Sequence, residues 1–154
     1  MEREDAGSYD GVVSDDSGSV TTSAATLAVS DSFSAWSARK GVAGAQTDAD
    51  SDGLPNLVEY ALGSDPQTRT PSASPVVTAD GDYLALTYTK AKNSPDITCS
   101  AQVTSSLTGT WSTADVDQFW QVIDNGSTQT ITARDKTSIS ASPSRFMRLK
   151  ITTL

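Results

Sequence analysis

The alternation of apolar and polar residues predicts that the C-terminal half of the chain, residues 76–154, is built from β-strands. The last run, R-F-M-R-L-K-I, places apolar side chains on one face and charged ones on the other, as a half-buried strand does. Turn pairs such as Asp80-Gly81 and Asn125-Gly126 favour tight hairpins. A small mainly-β sandwich of six or seven strands is therefore predicted. The candidate strands are Val76–Ala79, Tyr83–Thr89, Ile97–Val103, Trp111–Ser112, Phe119–Ile123, Thr128–Ala133 and Arg145–Ile151.

Residues 31–66 follow a helical pattern instead. A first short helix is predicted after Asp31 or Ser32, either of which can cap its N-terminus, and it ends at Gly41. A second helix is predicted from about Pro55 to Leu62, because its apolar residues recur at the spacing of one helix face. Gly63 follows that helix as a plausible C-cap. Residues 67–75 are rich in Ser, Thr and Pro and are interpreted as a linker.

Residues 1–30 predict a β-hairpin. Two β-type runs, Ser8–Ser14 and Ser19–Val29, flank a turn made of Asp15, Asp16, Ser17 and Gly18. An isolated hairpin is marginally stable in water. We therefore expect this segment to pack on another part of the protein or to allow self-association through its unpaired strand edges.

Composition narrows the function classes. The 154 residues carry a net charge of −8, and 36% of them are hydrophobic. No cluster of Lys and Arg is present to contact phosphates, so nucleic-acid binding is not expected. No apolar run approaches the ~20 residues of a membrane span, and no signal peptide is visible. The single cysteine, Cys99, excludes an intramolecular disulfide and is expected to be a small buried hydrophobe.

The twelve residues from Asp48 to Glu59, D-A-D-S-D-G-L-P-N-L-V-E, carry the most specific chemical signal. Oxygen-bearing residues recur at positions 1, 3, 5, 9 and 12, and a glycine at position 6 allows the sharp turn, which is the ligand spacing of a calcium loop. Position 7 contributes a backbone carbonyl in such loops. The sequence therefore predicts a Ca²⁺ site, whose ligands are Asp48, Asp50, Asp52, the Leu54 carbonyl, Asn56 and Glu59.

The loop is similar to the calcium repeats of thrombospondin type 3 and dockerin modules. Position 8 is Pro55, which lacks the amide that paired loops use to bridge to each other, so a solitary site is expected. A solitary site favours a weak to moderate affinity, on the order of the 10⁻⁴–10⁻³ M of extracellular modules.

The order of the segments carries a wider resemblance. Asp5, Gly7 and Tyr9 match the D-x-G-x-Y tyrosine corner of an immunoglobulin-like repeat, and the chain ends in R-F-x-R-L. With the central loop, this order resembles the C-terminal region of large exported proteins of the verrucomicrobial and planctomycete type. The resemblance implies a non-catalytic accessory or adhesion module at the cell surface or outside the cell. It divides the chain into residues 1–30, 31–66, 67–75 and 76–154.

Carbohydrate binding is a second interpretation. Trp111, Trp120 and Tyr83 in the β region could provide flat rings for sugar faces, with polysaccharide or cell-surface components as partners. The adjacent pair Phe119-Trp120 is expected to point to opposite sides of a strand.

A small hydrolase is the third interpretation, and whether the protein is an enzyme is left open, with non-catalytic function favoured. The chain has no histidine, which excludes a Ser-His-Asp triad. Ser37 and Lys40 fit an S-x-x-K spacing without its companion motifs. Asp115 with Asp117, or Asp80 with Asp82, are candidate carboxylate pairs, although aspartate-rich turns explain both.

Overall fold

The computed structural model describes residues 7–27, 30–142 and 144–154 and shows a mainly antiparallel β structure with two short helices. The fold class predicted from the sequence is confirmed. The strands are β1 (Gly7–Tyr9), β2 (Val12–Asp15), β3 (Gly18–Thr21), β4 (Ala25–Leu27), β5 (Val76–Asp80), β6 (Tyr83–Ala91), β7 (Ile97–Thr104), β8 (Val116–Asp124), β9 (Thr128–Ser138) and β10 (Phe146–Thr153). The helices are α1 (Phe33–Lys40) and α2 (Asn56–Leu62), and Pro71–Ala73 forms one 3₁₀ turn.

Two antiparallel sheets enclose the main core. One sheet has four strands in the order β5-β6-β9-β8, and the other pairs β7 with β10. Apolar side chains from the facing strands meet between the sheets, and α2 contributes Leu62 to the same cluster. The buried members of this cluster are Leu62, Leu86, Tyr88, Ala101, Val103, Val116, Ile131 and Ala133.

One predicted strand is wrong. Trp111 and Ser112 do not form a strand, because Ser112 makes a single isolated bridge to Val103. The two backbone bonds of that bridge measure 2.9 and 2.8 Å, and the polar turns that precede it give no continuous run to pair.

Strand β8 is irregular and leaves both rings of its aromatic pair exposed. Its register to β9 shifts between Asp117 and Gln121. Phe119 and Trp120 are 68% and 46% exposed, and the expectation that they point to opposite sides of the strand stays a prediction. A shifted register breaks the strict alternation of side chains across a sheet. Within the irregular stretch, the Gln118 side chain binds both backbone groups of Ala101 on β7, at 2.8 and 2.9 Å.

Capping residues set the helix ends. The Ser32 hydroxyl accepts a bond from the Ala35 N–H at 3.3 Å, and Gly41 closes α1 in the left-handed conformation. Helix α2 begins one residue later than predicted, because Pro55 has extended backbone angles and is itself the N-cap. Gly63 follows α2 with a φ of 81°, as its predicted C-cap role requires.

The helical segment shares a core with the sandwich. A second apolar cluster joins Trp36 of α1 and Tyr60 of α2 to Ile97 of β7. Cys99, which was expected to be buried, is partly buried and packs against both clusters, and the loss of solvent raises the pKa of its thiol. The Asp96 carboxylate adds a polar tie, because it accepts a bond from the Phe33 N–H at 2.7 Å and contacts the Tyr60 hydroxyl. The two helices are therefore held against the sandwich over a continuous apolar surface.

The predicted N-terminal hairpin is present. β2 pairs with β3 around the turn, and β1 pairs with β4 further from it. Gly11 and Thr22 bridge the two pairs, since the Thr22 N–H donates to the Gly11 carbonyl at 2.8 Å. Ala28 and Val29, at the end of the predicted second run, lie outside the described residues, as does Asp5 of the tyrosine-corner match.

We expect Gly63→Ala to destabilise the protein more than Gly81→Ala. Both glycines have a positive φ, which costs an alanine roughly 1–2 kcal/mol. A Cβ at Gly63 would also lie 2.9 Å from Thr128 Cγ2, whereas one at Gly81 meets nothing within 4 Å. Chemical denaturation of both variants should show an additional loss of about 1–3 kcal/mol for Gly63→Ala. Equal losses would show that α2 does not pack closely on β9.

Candidate metal site

The acidic loop before α2 folds back on itself and gathers its aspartates. Ser51 and Gly53 have φ values of 62° and 99°, so the chain turns sharply at both residues. Backbone N–H groups of the turn then bind the carboxylates: Gly53 donates to Asp48 at 2.8 Å and Leu54 donates to Asp52 at 2.8 Å. These bonds hold the Asp48 and Asp52 side chains in place without a ligand.

Three carboxylates converge as a result. One oxygen each from Asp48, Asp50 and Asp52 lie within 4.8 Å of one another. Like charges at this distance repel. Hard cations such as Ca²⁺ and Mg²⁺ are bound by carboxylate oxygens in this way. The cluster could therefore hold a metal ion.

Glu59 lies inside the protein next to this cluster. It is in the middle of α2 and is 0% exposed. Ser64 donates a long 3.4 Å bond to Oε1, while Oε2 has no hydrogen-bond partner. Burial, followed by the negative charges of Asp50 and Asp52, raises its pKa to about 7. A buried carboxylate oxygen is normally paired, and a role for Glu59 as a metal ligand stays a prediction.

Asn56 presents a second buried oxygen without a partner. Its side-chain N–H₂ group donates to the Gly44 carbonyl at 3.1 Å and to the Thr47 hydroxyl at 2.8 Å. These acceptors orient the amide, and Oδ1 remains without a protein partner. The residue is 1% exposed, so it is held firmly in place. Leu54 is buried beside it, and a role for its carbonyl as a ligand stays a prediction.

The surroundings in the cluster shift the pKa values of two of its aspartates in opposite directions. The Gly53 N–H is the main cause that lowers the pKa of Asp48 below its usual value. Loss of solvent and the neighbouring charge of Asp52 raise the pKa of Asp50, and one of its oxygens is buried without a partner. The loop therefore favours the ionised form of Asp48 and disfavours the ionised form of Asp50.

Two contacts, one to the acidic loop and one to the end of α1, were not anticipated from the sequence. The Thr70 N–H donates to Asp52 Oδ2 at 2.7 Å, and Gln67 binds the Lys40 carbonyl at 2.6 Å. Both lie in the segment interpreted as a linker. No spacing rule connects a Thr-Pro stretch to an aspartate 18 positions earlier, so only the folded chain reveals this support.

The three aromatic residues proposed for sugar binding lie on two different sheets. The Arg134 guanidinium lies 4.1 Å from the ring centres of both Tyr83 and Trp120, on the four-stranded sheet. Trp111 contacts Arg148 of β10 at 4.0 Å, on the other sheet. Cation–π contacts of this kind hold exposed rings in fixed orientations. Trp111 therefore belongs to a different surface from the other two.

Most of the candidate catalytic residues are engaged in other contacts, and Asp115 accepts a bond from the Lys136 N–H through its backbone carbonyl at 2.9 Å. Asp80 lies 3.5 Å from Arg134, and Asp117 lies 3.7 Å from Lys136. Asp82 accepts a bond from the Ser140 N–H at 3.1 Å. Of the S-x-x-K pair, the Ser37 hydroxyl donates to the Ser34 carbonyl at 3.1 Å. Lys40 pairs with Asp65 at 2.9 Å.

Comparisons with known proteins found no relative of this chain. No family model matches the chain, and neither a curated protein nor a solved structure matches it. Among the described residues, neither helix has the length and apolar character needed to cross a membrane. Inferences about function therefore depend on the geometry of the chain itself.

We expect the stability of the cation-free protein to fall as the pH rises from about 4.5 to 7. The folded-state pKa of Glu59, about 7, is above its ordinary value of 4.5, so in this window the folded state holds a proton that the unfolded state has released. Denaturation in EDTA across this pH range, compared with Glu59→Gln, tests the effect. The variant should lose this component of the pH dependence, and identical pH profiles for both proteins would contradict it.

Proposed function

We propose that the protein is a non-catalytic module in which one Ca²⁺ ion stabilises the helical segment on the β-sandwich. The observation that carries the proposal is the buried, unpartnered Glu59 oxygen beside three converging aspartates. An acidic cluster alone is common on protein surfaces. A buried carboxylate whose charge is disfavoured by those same aspartates is neutral when it binds a proton, and in its ionised form it is stabilised by a positive partner.

The donor set favours Ca²⁺ over other divalent ions. Carboxylates of Asp48, Asp50, Asp52 and Glu59, with Asn56 Oδ1 and the Leu54 carbonyl, would supply oxygens alone. Zn²⁺ prefers nitrogen and sulfur, which this group lacks. Ca²⁺ takes about six to eight oxygens in flexible geometry, whereas Mg²⁺ demands a near-ideal octahedron.

Cation binding would stabilise the junction between the acidic loop, α2 and the sandwich. Glu59 lies on α2, whose apolar residues enter both core clusters. Asp52 also binds the backbone of Thr70, which precedes the sandwich. A cation between the loop and Glu59 would remove the repulsion at this junction and fasten the loop, α2 and the connection to β5 together. An affinity on the order of 10⁻⁴–10⁻³ M would suit the calcium concentrations outside cells, in keeping with an extracellular accessory role.

Calcium should raise the thermal midpoint, and Glu59→Gln or Asp48→Asn should abolish this response. At a calcium concentration a hundredfold above Kd, binding to the folded state adds about 2.7 kcal/mol. For a chain of this size that corresponds to roughly 5–10 °C. Melts in EDTA and across calcium and magnesium titrations give the measurement.

Asp16→Asn is the matched control, because it removes one negative charge from the exposed hairpin turn, away from the loop sequence. It should retain the full calcium response. A calcium response that survives both loop substitutions would place the ion elsewhere, and the absence of any response at about 10 mM calcium would reject the proposal.

Carbohydrate binding at the outer face of the four-stranded sheet is a second candidate. Phe119 and Trp120 expose large ring areas, and Arg134 holds Trp120 together with Tyr83. Exposed rings of fixed orientation suit the flat surface of an insoluble polysaccharide.

Trp120→Ala should then reduce retention on insoluble polysaccharides in a pull-down assay, whereas Trp111→Ala should not, because Trp111 lies on the other sheet. Both variants should still show a cooperative melt in parallel measurements, although each loses a cation–π contact. Equal retention of all three proteins, or no retention of any, would argue against this candidate.

A further inference from the structure

A cleft separate from the acidic loop lies where the helices meet the edge of the sandwich. Its volume is about 420 Å³, within the roughly 300–1,000 Å³ typical of small-molecule sites. The ends of α1 and α2 line one side, and the β8–β9 turn and residues after β6 line the other. None of the six candidate cation ligands lines it.

The charges that line the cleft are paired. Arg39 binds Asp31, and Lys40 lies 2.9 Å from Asp65. Two cations and two carboxylates leave no net charge, so neither an anion nor a cation is favoured. Each pair still offers hydrogen-bonding capacity to a ligand, because a guanidinium has five donors and a carboxylate has about four acceptor sites. The cleft therefore presents donors and acceptors side by side.

Neutral groups complete the lining. Asn93, Ser127 and Thr128 line the side opposite the helices, and their side chains carry an amide and two hydroxyls. Ala91 adds an apolar residue to the lining, and Trp36 and Tyr60, which are 8% and 3% exposed, add small aromatic areas. A sugar ring has this same combination, since its hydroxyls both donate and accept and its C–H faces are apolar. A purely apolar ligand would leave these polar groups unpaired at a cost.

We propose that this cleft binds one or two units of a neutral saccharide. The inference goes beyond the calcium module and does not depend on the cation. It also differs from the exposed sheet face in its ligand, because a recess takes a soluble sugar or a chain end, whereas a flat aromatic surface takes an extended polysaccharide.

Calorimetric titration of the full chain in calcium buffer with a panel of neutral disaccharides (cellobiose, maltose, xylobiose, mannobiose and lactose) tests the proposal. At least one sugar should bind with a Kd of about 1 mM or lower. Ser127→Trp should abolish binding, because Ser127 is exposed and its side chain makes no hydrogen bond, so the indole can fill the cleft. Ser105→Trp, at an exposed position that does not line the cleft, should leave binding unchanged.

Asn93→Ala provides a second test that does not introduce bulk. It should weaken binding about threefold to tenfold, as expected for one lost hydrogen bond, with an unchanged melting midpoint. Trp120→Ala should bind normally. The proposal is overturned if no sugar of the panel binds, if Ser127→Trp and Asn93→Ala both bind like the unmodified chain, or if Trp120→Ala removes binding and so places the sugar on the sheet face.

Discussion

The burial of Glu59 is the constraint on which the helical segment depends. Helix α2 has apolar contacts on both sides, with Leu62 in one core cluster and Leu57 and Tyr60 in the other. Packing both sides leaves no route to solvent for the residue between them, so Glu59 is completely buried. Loss of solvent is the main cause that raises the pKa of Glu59, and the negative charges of the three aspartates raise it further. The apolar packing that holds α2 in place thus creates the electrostatic problem that a cation would solve.

The resemblance separates the helical residues 31–66 from the β region, but the folded chain packs the two together. A flexible connection between domains would have few apolar contacts with either neighbour. Here Trp36, Tyr60 and Ile97 form one buried cluster across the supposed boundary. Asp96, next to β7, also binds both helices through Phe33 and Tyr60. The helices are better described as a cap on one end of the sandwich than as a hinge.

Local patterns in the sequence predicted the elements well, and long-range contacts set what they missed. Alternation identified β10, and glycine and serine signals identified the ends of α1 and α2. The twelve-residue spacing also identified the aspartates that converge. The same reasoning missed Thr70, because nothing in the local sequence reveals which backbone group will reach Asp52. It also did not foresee the register shift in β8, because that shift depends on pairing with β9.

The loop from Asp48 to Glu59 has no second calcium-type loop in the sequence to support it, so other contacts must take that role. In paired calcium loops, each loop supports the other through a short β-bridge, and Pro55 cannot donate the required bond. The chain instead supports its loop from three directions: Thr70 binds Asp52 from the following segment, Thr47 and Gly44 orient Asn56 from the preceding one, and α2 fixes Glu59 from the core. Each support belongs to a part of the chain that is itself packed or hydrogen-bonded. In the proposed calcium site, the sandwich would therefore act through α2 in the role that a partner loop has elsewhere and keep the oxygens of a single loop in place.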